Sequence, residues 1–224
     1  LKNRLPSSVA INYAEGYLER YEEKNKGNLG NITSTGPVTI DQLDPAKLQE
    51  AIEAAKNSDV VVVFAGSNRD YETEASDRRD LKLPFGQEEL IQKVIAVNPN
   101  TIVVMVAGAP FDIDAVSKQT KALVWSWFNG SEGGNALADV LLGKVNPSGK
   151  LPWTMPKKLI DSPAHATNSF PGDKTVTYDE GILVGYRWFD TKNITPMYPF
   201  GYGLSYTSFN FGKVTAFLPS KKVS

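Results

Sequence analysis

Apolar residues along the chain fall into short unbroken runs that alternate with amphipathic stretches. Residues 60–66, 101–107 and 122–127 are runs rich in valine and other large apolar residues, and such runs are typical of strands that are covered on both faces. Stretches with apolar residues at a spacing of three to four lie between these runs and predict helices. The pattern therefore predicts an α/β fold in which βαβ units build a parallel, doubly wound sheet.

Local signals set the boundaries of the other predicted elements. Asp44 and Pro45 predict the start of the first helix, because aspartate is a favoured N-cap and proline fits the first helical position. Residues 7–13, where apolar and polar residues alternate, predict a first strand, and residues 150–155 predict an edge strand. Three later helices are expected at residues 85–97, 113–118 and 134–142.

The connection between the first buried run and the helix that follows it is unusually long. Residues 67–84 (SNRDYETEASDRRDLKLP), here called the acidic loop, span eighteen residues, whereas about two to six residues are usual between a strand and a helix. In parallel sheets, ligands bind at the carboxyl ends of the strands. There the acidic loop is expected to meet residues 108–112 and 128–134, so we expect the chemistry of the protein at this edge.

Composition excludes several classes of function. A net charge of -1 gives no field for nucleic acid or for an anionic membrane surface, and no apolar run approaches eighteen residues. The chain has no cysteine and a single histidine, His165, so a disulfide framework, a thiolate site and a multi-histidine metal cluster are excluded. It also lacks a G-x-G-x-x-G fingerprint and a Walker lysine. We therefore expect no cofactor, no metal, no nucleic acid and no membrane as partner.

The cellular compartment is not decided by the absence of cysteine, since many exported proteins also lack it. We expect a periplasmic or secreted protein, with a cytoplasmic location as the alternative. The chain begins at Leu1 without a methionine or a signal sequence, which leads us to expect a piece of a longer protein.

A series of short motifs follows the order seen in a known family. The motifs are Glu74 with Asp77-Arg78, then residues 81–84, 87–91, 98–101, 108–110, 133–136, 138–141, 143 with 146–152, 178–181, 184–187 with 189–190, and 199–207. With these motifs, the chain resembles the C-terminal α/β sandwich domain of the glycoside hydrolases of family 3.

The resemblance implies a layered α/β sandwich of the (α/β)6 type with a mostly parallel central sheet, over residues 1–208. Residues 209–224 would then be a linker or the start of a further module. It also implies a retaining exo-β-glycosidase, similar to β-glucosidases, that acts on a β-linked oligosaccharide or glycoside. The partner would be an N-terminal (β/α)8-like barrel that carries the nucleophile and is absent from this sequence.

The same resemblance assigns a role to one carboxylate of the acidic loop. The family pattern places the general acid/base three residues before the Asp-Arg pair, which is Glu74 here, and Glu72 is the runner-up because the loop varies in length. We expect Glu74 to be solvated in this chain alone. The sequence departs from the pattern at residues 75–76, which are Ala-Ser instead of Gly-Tyr, and at residues 129–131, which are Asn-Gly-Ser instead of Pro-Gly-Gln.

Aromatic residues near the acidic loop are candidates for contact with sugar. Tyr71 and Phe128 are expected to line the subsite for the leaving group, with Arg69 as a further substrate contact, whereas Trp125 and Trp127 are expected in the core. The alternatives are a β-xylosidase, an α-L-arabinofuranosidase, an N-acetylglucosaminidase-like relative with its acid/base on the barrel, or a non-catalytic carbohydrate-binding or scaffold domain.

Overall fold

A parallel sheet forms the centre of the molecule. Its strands are β1 (Val61–Gly66), β2 (Thr101–Val106) and β3 (Ala122–Trp125). They lie side by side in the order β1-β2-β3, with Gly66 of β1 opposite Val106 of β2. The three predicted strands are confirmed in position, because their β-branched and aromatic residues fit a pleated surface. Their expected burial on both faces holds mainly for β2, since Phe64 of β1 is exposed and all four residues of β3 are half-buried.

The computed structural model describes residues 1–17, 43–68, 71–72, 74, 78–172 and 174–216. The strand order does not reverse among the described strands, so the doubly wound arrangement that we expected is not present in this part of the chain. The α/β class with a parallel sheet is confirmed. No helix in the described ranges is long and apolar enough to cross a membrane.

Four helices follow the predicted positions closely: α1 (Pro45–Lys56), α2 (Gln87–Val97), α3 (Asp114–Gln119) and α4 (Gly133–Leu141). Two further short helices, α5 (Pro163–Ala166) and α6 (Tyr186–Lys192), were not predicted. The side chain of Asp44 caps α1 by accepting hydrogen bonds from the N–H groups of Ala46 at 2.9 Å and Lys47 at 3.3 Å. The predicted start of α1 is therefore confirmed, with proline at its first position.

The main core lies on one face of the sheet, where α1 packs against α2 and α2 against α3. Val63 and Ala65 of β1 and Val103 and Met105 of β2 point to this face by the period of two along a strand. Phe64 points to the opposite face and is 46% exposed. The described residues therefore cover one face of the sheet more fully than the other.

Two predicted strands are absent or reduced. The strand predicted at residues 7–13 is wrong: this segment forms turns and coil, and Val9, Ile11 and Tyr13 are all exposed. The edge strand predicted at residues 150–155 is reduced to an isolated antiparallel bridge between Met155 and Tyr198.

The segment after α4 folds back against the end of the described chain. The N–H groups of Leu151 and Met155 donate to the carbonyl oxygens of Tyr202 and Tyr198, each at 2.8 Å. Gly203 lies so close to the backbone of residue 149 that a Cβ would overlap its carbonyl oxygen. The glycine-rich and aromatic motif at residues 199–207 therefore holds the segment after α4 in place.

Candidate functional site

The loops that follow the three strands contact one another at one edge of the sheet. The N–H group of Asp112, which lies after β2, donates to the carbonyl oxygen of Leu81 in the acidic loop at 2.6 Å. Gly108, also after β2, lies against Phe128 after β3, and a Cβ on Gly108 would come within 3.0 Å of the ring. The predicted meeting of these loops at the carboxyl ends of the strands is confirmed.

A buried side chain holds Gly66, the last residue of β1, at the point where the acidic loop begins. The side chain of Gln87, only 1% exposed, accepts a hydrogen bond from the N–H group of Gly66 at 2.6 Å and donates to its carbonyl oxygen at 2.9 Å. Gly66 has a φ of 135°, and a Cβ there would overlap the carbonyl oxygen of Val106. The loop therefore leaves the sheet at a position that requires glycine.

Glu72 is held by three groups of the chain. Its carboxylate accepts a short hydrogen bond from the hydroxyl of Ser67 and another from the N–H group of Gly108 at 3.3 Å. It also lies 3.8 Å from the guanidinium of Arg78, and both side chains are only 12% exposed. The Glu72 side chain is therefore directed into the domain and links the acidic loop to the segment after β2.

Arg78, the ion-pair partner of Glu72, is itself held by the segment after β2. Its Nη2 donates to the carbonyl oxygen of Pro110 at 2.8 Å, and its guanidinium lies 4.1 Å from the centre of the Phe111 ring. Burial lowers the pKa of Arg78 below its ordinary value, and the negative charge of Glu72 opposes this shift. Asp77, which precedes Arg78 in the family motif, lies outside the described residues.

Glu74 is exposed, in contrast to Glu72. Among the described residues, none forms a hydrogen bond or an ion pair with its carboxylate. The two candidate acids of the loop therefore differ in what surrounds them: one is engaged within the domain, and the other is available to a group outside it. The prediction that Glu74 is solvated in this chain is confirmed by its exposure.

The three predicted substrate contacts lie in different surroundings. Tyr71 is 2% exposed and packs in the core, with its ring centre 6.3 Å from that of Phe85. Phe128 is 50% exposed at the end of β3, and Arg69 lies outside the described residues. Phe128 is therefore accessible from outside the domain. A contact between Tyr71 and a sugar would first require the Tyr71 ring to leave the core. The substrate contacts of Tyr71, Phe128 and Arg69 all stay predictions.

The tryptophans of β3 and its end form a cluster. The indole N–H of Trp125 donates to the carbonyl oxygen of Ala107 at 3.2 Å, and its ring packs against the core. The ring of Trp127 lies between those of Trp125 and Trp153, at centre distances of 6.2 and 4.8 Å. The predicted packing of Trp125 in the core is confirmed.

Arg78 also lines a cavity of about 510 Å³. Its walls are mostly apolar and come from the acidic loop, the segment around residue 153 and α6; the lining includes Leu81, Pro110, Trp153, Thr154, Tyr186 and Phe189. No carboxylate lines it. In the described part of the chain, no group of three or more histidine, aspartate or glutamate side chains could hold a metal ion. Among the described residues, the two candidate acids predicted from the sequence, Glu72 and Glu74, therefore lie outside this cavity.

The anchoring contacts of Glu72 were not predicted from the sequence. Ser67 and Arg78 are five and six residues from Glu72, and the N–H group of Gly108 is 36 residues away. The available signals were the long strand-to-helix connection and the two glutamates separated by one residue. Neither signal shows which carboxylate turns inward.

Comparisons with known proteins place these features in a family. Residues 2–206 match the family model described as the glycosyl hydrolase family 3 C-terminal domain. The chain is 44% identical over 206 residues to a β-glucosidase of Bacteroides ovatus, covering 90% of this chain and 26% of that protein. It is 46% identical over 173 residues to a β-glucosidase of Rhizobium radiobacter, covering 76% of this chain and 21% of that protein.

Solved structures show the same similarity. A family 3 β-glucosidase from Bifidobacterium adolescentis superposes with a TM-score of 0.70 at 42% identity, over 75% of this chain and 25% of that one. DesR, a β-glucosidase from Streptomyces venezuelae solved with D-glucose, gives a TM-score of 0.69 at 43% identity, over 74% of this chain and 21% of that one. The chain thus spans about a quarter of the length of these relatives. By its fold, its motifs and its match over residues 2–206, the chain belongs to glycoside hydrolase family 3, whose C-terminal domain it contains.

Proposed function

We propose that this chain is the C-terminal domain of a retaining exo-β-glycosidase of the β-glucosidase type, and that Glu74 is its general acid/base. The relatives support the substrate class, since they are named β-glucosidases. The observation that carries the assignment is the exposure of Glu74 on a loop at the carboxyl ends of the strands. An acid that works on a bound substrate has to be accessible to it, and no described residue bonds to the carboxylate of Glu74.

Retention requires two carboxyl groups about 5 to 5.5 Å apart, one on each side of the glycosidic bond. A carboxylate of the barrel attacks the anomeric carbon, and Glu74 gives its proton to the departing oxygen. In the second step water attacks the glycosyl–enzyme bond, and the Glu74 carboxylate takes a proton from that water. The sugar leaves with its original configuration, and both carboxyl groups return to their starting states.

A carboxyl group that donates a proton near neutral pH has to be buried or to lie near another carboxylate. Glu74 is exposed in this chain, so the second domain would have to supply that environment. We therefore expect this chain alone to hydrolyse no aryl β-glucoside at a measurable rate. Equal turnover by the chain alone and by the complete protein would contradict this division of the active site.

The dependence on the leaving group tests the role of Glu74. In the complete protein, Glu74→Gln is expected to lower kcat/KM for phenyl β-glucoside by about 10²- to 10⁴-fold, the usual contribution of a general acid. The loss for 2,4-dinitrophenyl β-glucoside is expected to be much smaller, because that phenolate leaves without a proton. Glu89→Gln, which removes an exposed carboxylate of α2, is the control.

Two outcomes would overturn the proposal. Unchanged activity of Glu74→Gln would indicate a scaffold role for this domain or an acid/base on the barrel. An equal loss for both substrates would show that Glu74 has no part in protonating the leaving group. A panel of β-glucosides, β-xylosides, α-L-arabinofuranosides and N-acetyl-β-glucosaminides, measured with the unaltered protein, identifies the sugar.

A further inference from the structure

We propose that Glu72 is a positioning residue, which fixes the acidic loop to the segment after β2 and thereby places Glu74 for proton transfer. This inference rests on the proposed function, since it concerns the same loop and the same reaction. The two glutamates would then have separate roles: Glu74 exchanges the proton, and Glu72 keeps its carboxylate directed into the domain.

The contacts of Glu72 support an anchoring role. Its carboxylate bonds to a hydroxyl at the start of the loop, on Ser67, and to a backbone N–H after the neighbouring strand, on Gly108. A carboxylate that receives several hydrogen bonds at 12% exposure is held in one position. Both hydrogen bonds end on the same oxygen of the carboxylate, and the other oxygen faces Arg78.

Arg78 makes the anchor rigid. Its guanidinium is held by the carbonyl oxygen of Pro110 at 2.8 Å and by the ring of Phe111. It lies 3.8 Å from the Glu72 carboxylate, at a site where both side chains are largely removed from water. Removing either partner would leave the other charge buried without compensation, which costs more than the loss of a surface pair.

The contacts of Glu72 limit the position of Glu74, because the two residues are close in the chain. Only one residue separates Glu72 from Glu74, and two residues of extended chain span at most about 7 Å. A fixed Glu72 therefore restricts the region that the backbone of Glu74 can reach. Proton transfer needs the donor within hydrogen-bond reach of the departing oxygen, and a displacement of about 1 Å can lower the rate about 100-fold.

The pH dependence of the complete protein separates the two roles. Glu72→Gln keeps an oxygen that can accept from Ser67 and Gly108 but removes the charge that faces Arg78. It is expected to lower kcat for phenyl β-glucoside about 10- to 100-fold, while the alkaline limb of the pH profile stays, because the acid is still present. Glu74→Gln is expected to lose that limb, and Glu89→Gln is expected to match the unaltered protein in both respects.

A second variant covers the case in which Glu72→Gln fails to fold. Ser67→Ala removes one hydrogen bond of the anchor and keeps both charges, so it is expected to lower kcat by about 3- to 10-fold with an unchanged pH profile. Full activity of Glu72→Gln, or of Ser67→Ala where the first variant does not fold, would overturn the positioning role and leave that of Glu74 intact. A different result would overturn both the positioning role of Glu72 and the acid/base role of Glu74. In that result Glu72→Gln loses the alkaline limb of the pH profile and Glu74→Gln keeps it, because Glu72 would then be the acid.

Discussion

The side-chain amide of Gln87 forms hydrogen bonds with both backbone polar groups of Gly66, at 2.6 and 2.9 Å. Gly66 ends β1 and Gln87 begins α2, so one side chain joins the two ends of the segment that contains the acidic loop. Since the pair is buried, neither backbone group of Gly66 can turn to water instead.

Replacing Gln87 by leucine is expected to lower the free energy of unfolding by about 2–4 kcal/mol, because it leaves a buried N–H and a buried C=O unpaired. Urea denaturation of the chain measures this change. Gln92→Leu is the matched control, since Gln92 lies in the same helix and, among the described residues, its side chain bonds to Glu88 alone, at 3.1 Å. Equal effects of the two substitutions would contradict the role of Gln87.

Gly66 itself is expected to tolerate no side chain. Gly66→Ala would bring a Cβ onto the carbonyl oxygen of Val106 at a φ of 135°, so we expect a loss of at least about 3 kcal/mol, from overlap and backbone strain together. Gly134→Ala, in the first turn of α4, meets nothing within 4 Å and is expected to be neutral or stabilising by up to about 1 kcal/mol. Thermal denaturation of the two variants side by side tests the contrast.

The single histidine is expected to make stability depend on pH. Burial lowers the pKa of His165 below its ordinary value of 6.5, and its Nδ1 is buried without a hydrogen-bond partner among the described residues. The unfolded chain therefore binds the proton more readily, so stability falls as the pH falls through about 6.5. His165→Gln is expected to reduce this slope between pH 7.5 and 5.5. Parallel stability curves for the two proteins would show that His165 contributes nothing to it.

Phe128 is expected to affect the leaving-group side of the site. Half of its side chain is exposed at the end of β3, and the absence of a side chain on Gly108 makes room for the ring. In the complete protein, Phe128→Ala is expected to raise KM for aryl β-glucosides by about 3- to 10-fold through loss of apolar contact, with a smaller change for methyl β-glucoside. The same change for both substrates would place Phe128 outside the leaving-group subsite.

The elements that the sequence predicted well are those whose signal is local. The runs of β-branched residues in β1 and β2 and the Asp44-Pro45 cap act within a few residues, and all three lie where expected. The alternation at residues 7–13 is also local, but a strand needs a partner to pair with, and pairing is a long-range property. With Val9 and Ile11 exposed, that segment lacks the buried face that would hold it in a sheet.

The difference between local and long-range signals also explains which features of the acidic loop could be predicted. Its position after β1 and the presence of two candidate acids could be predicted, because both follow from order along the chain. The different surroundings of Glu72 and Glu74 could not be, because Glu72 depends on an N–H group 36 residues away and on the orientation of Arg78. The family motif indicates Glu74 as the acid/base. The contacts of Glu72 with Ser67, Gly108 and Arg78 give a physical reason why Glu72 would have a different role.

Rescue by azide distinguishes whether Glu74 or Glu72 is the acid/base. In Glu74→Ala of the complete protein, 2,4-dinitrophenyl β-glucoside would still form the glycosyl–enzyme bond, but water would lack a base. Azide needs no base, so it is expected to raise the turnover at least about tenfold and to give β-glucosyl azide, with retained configuration. The same rescue in Glu72→Ala but not in Glu74→Ala, or no β-glucosyl azide from either variant, would show that Glu74 is not the acid/base.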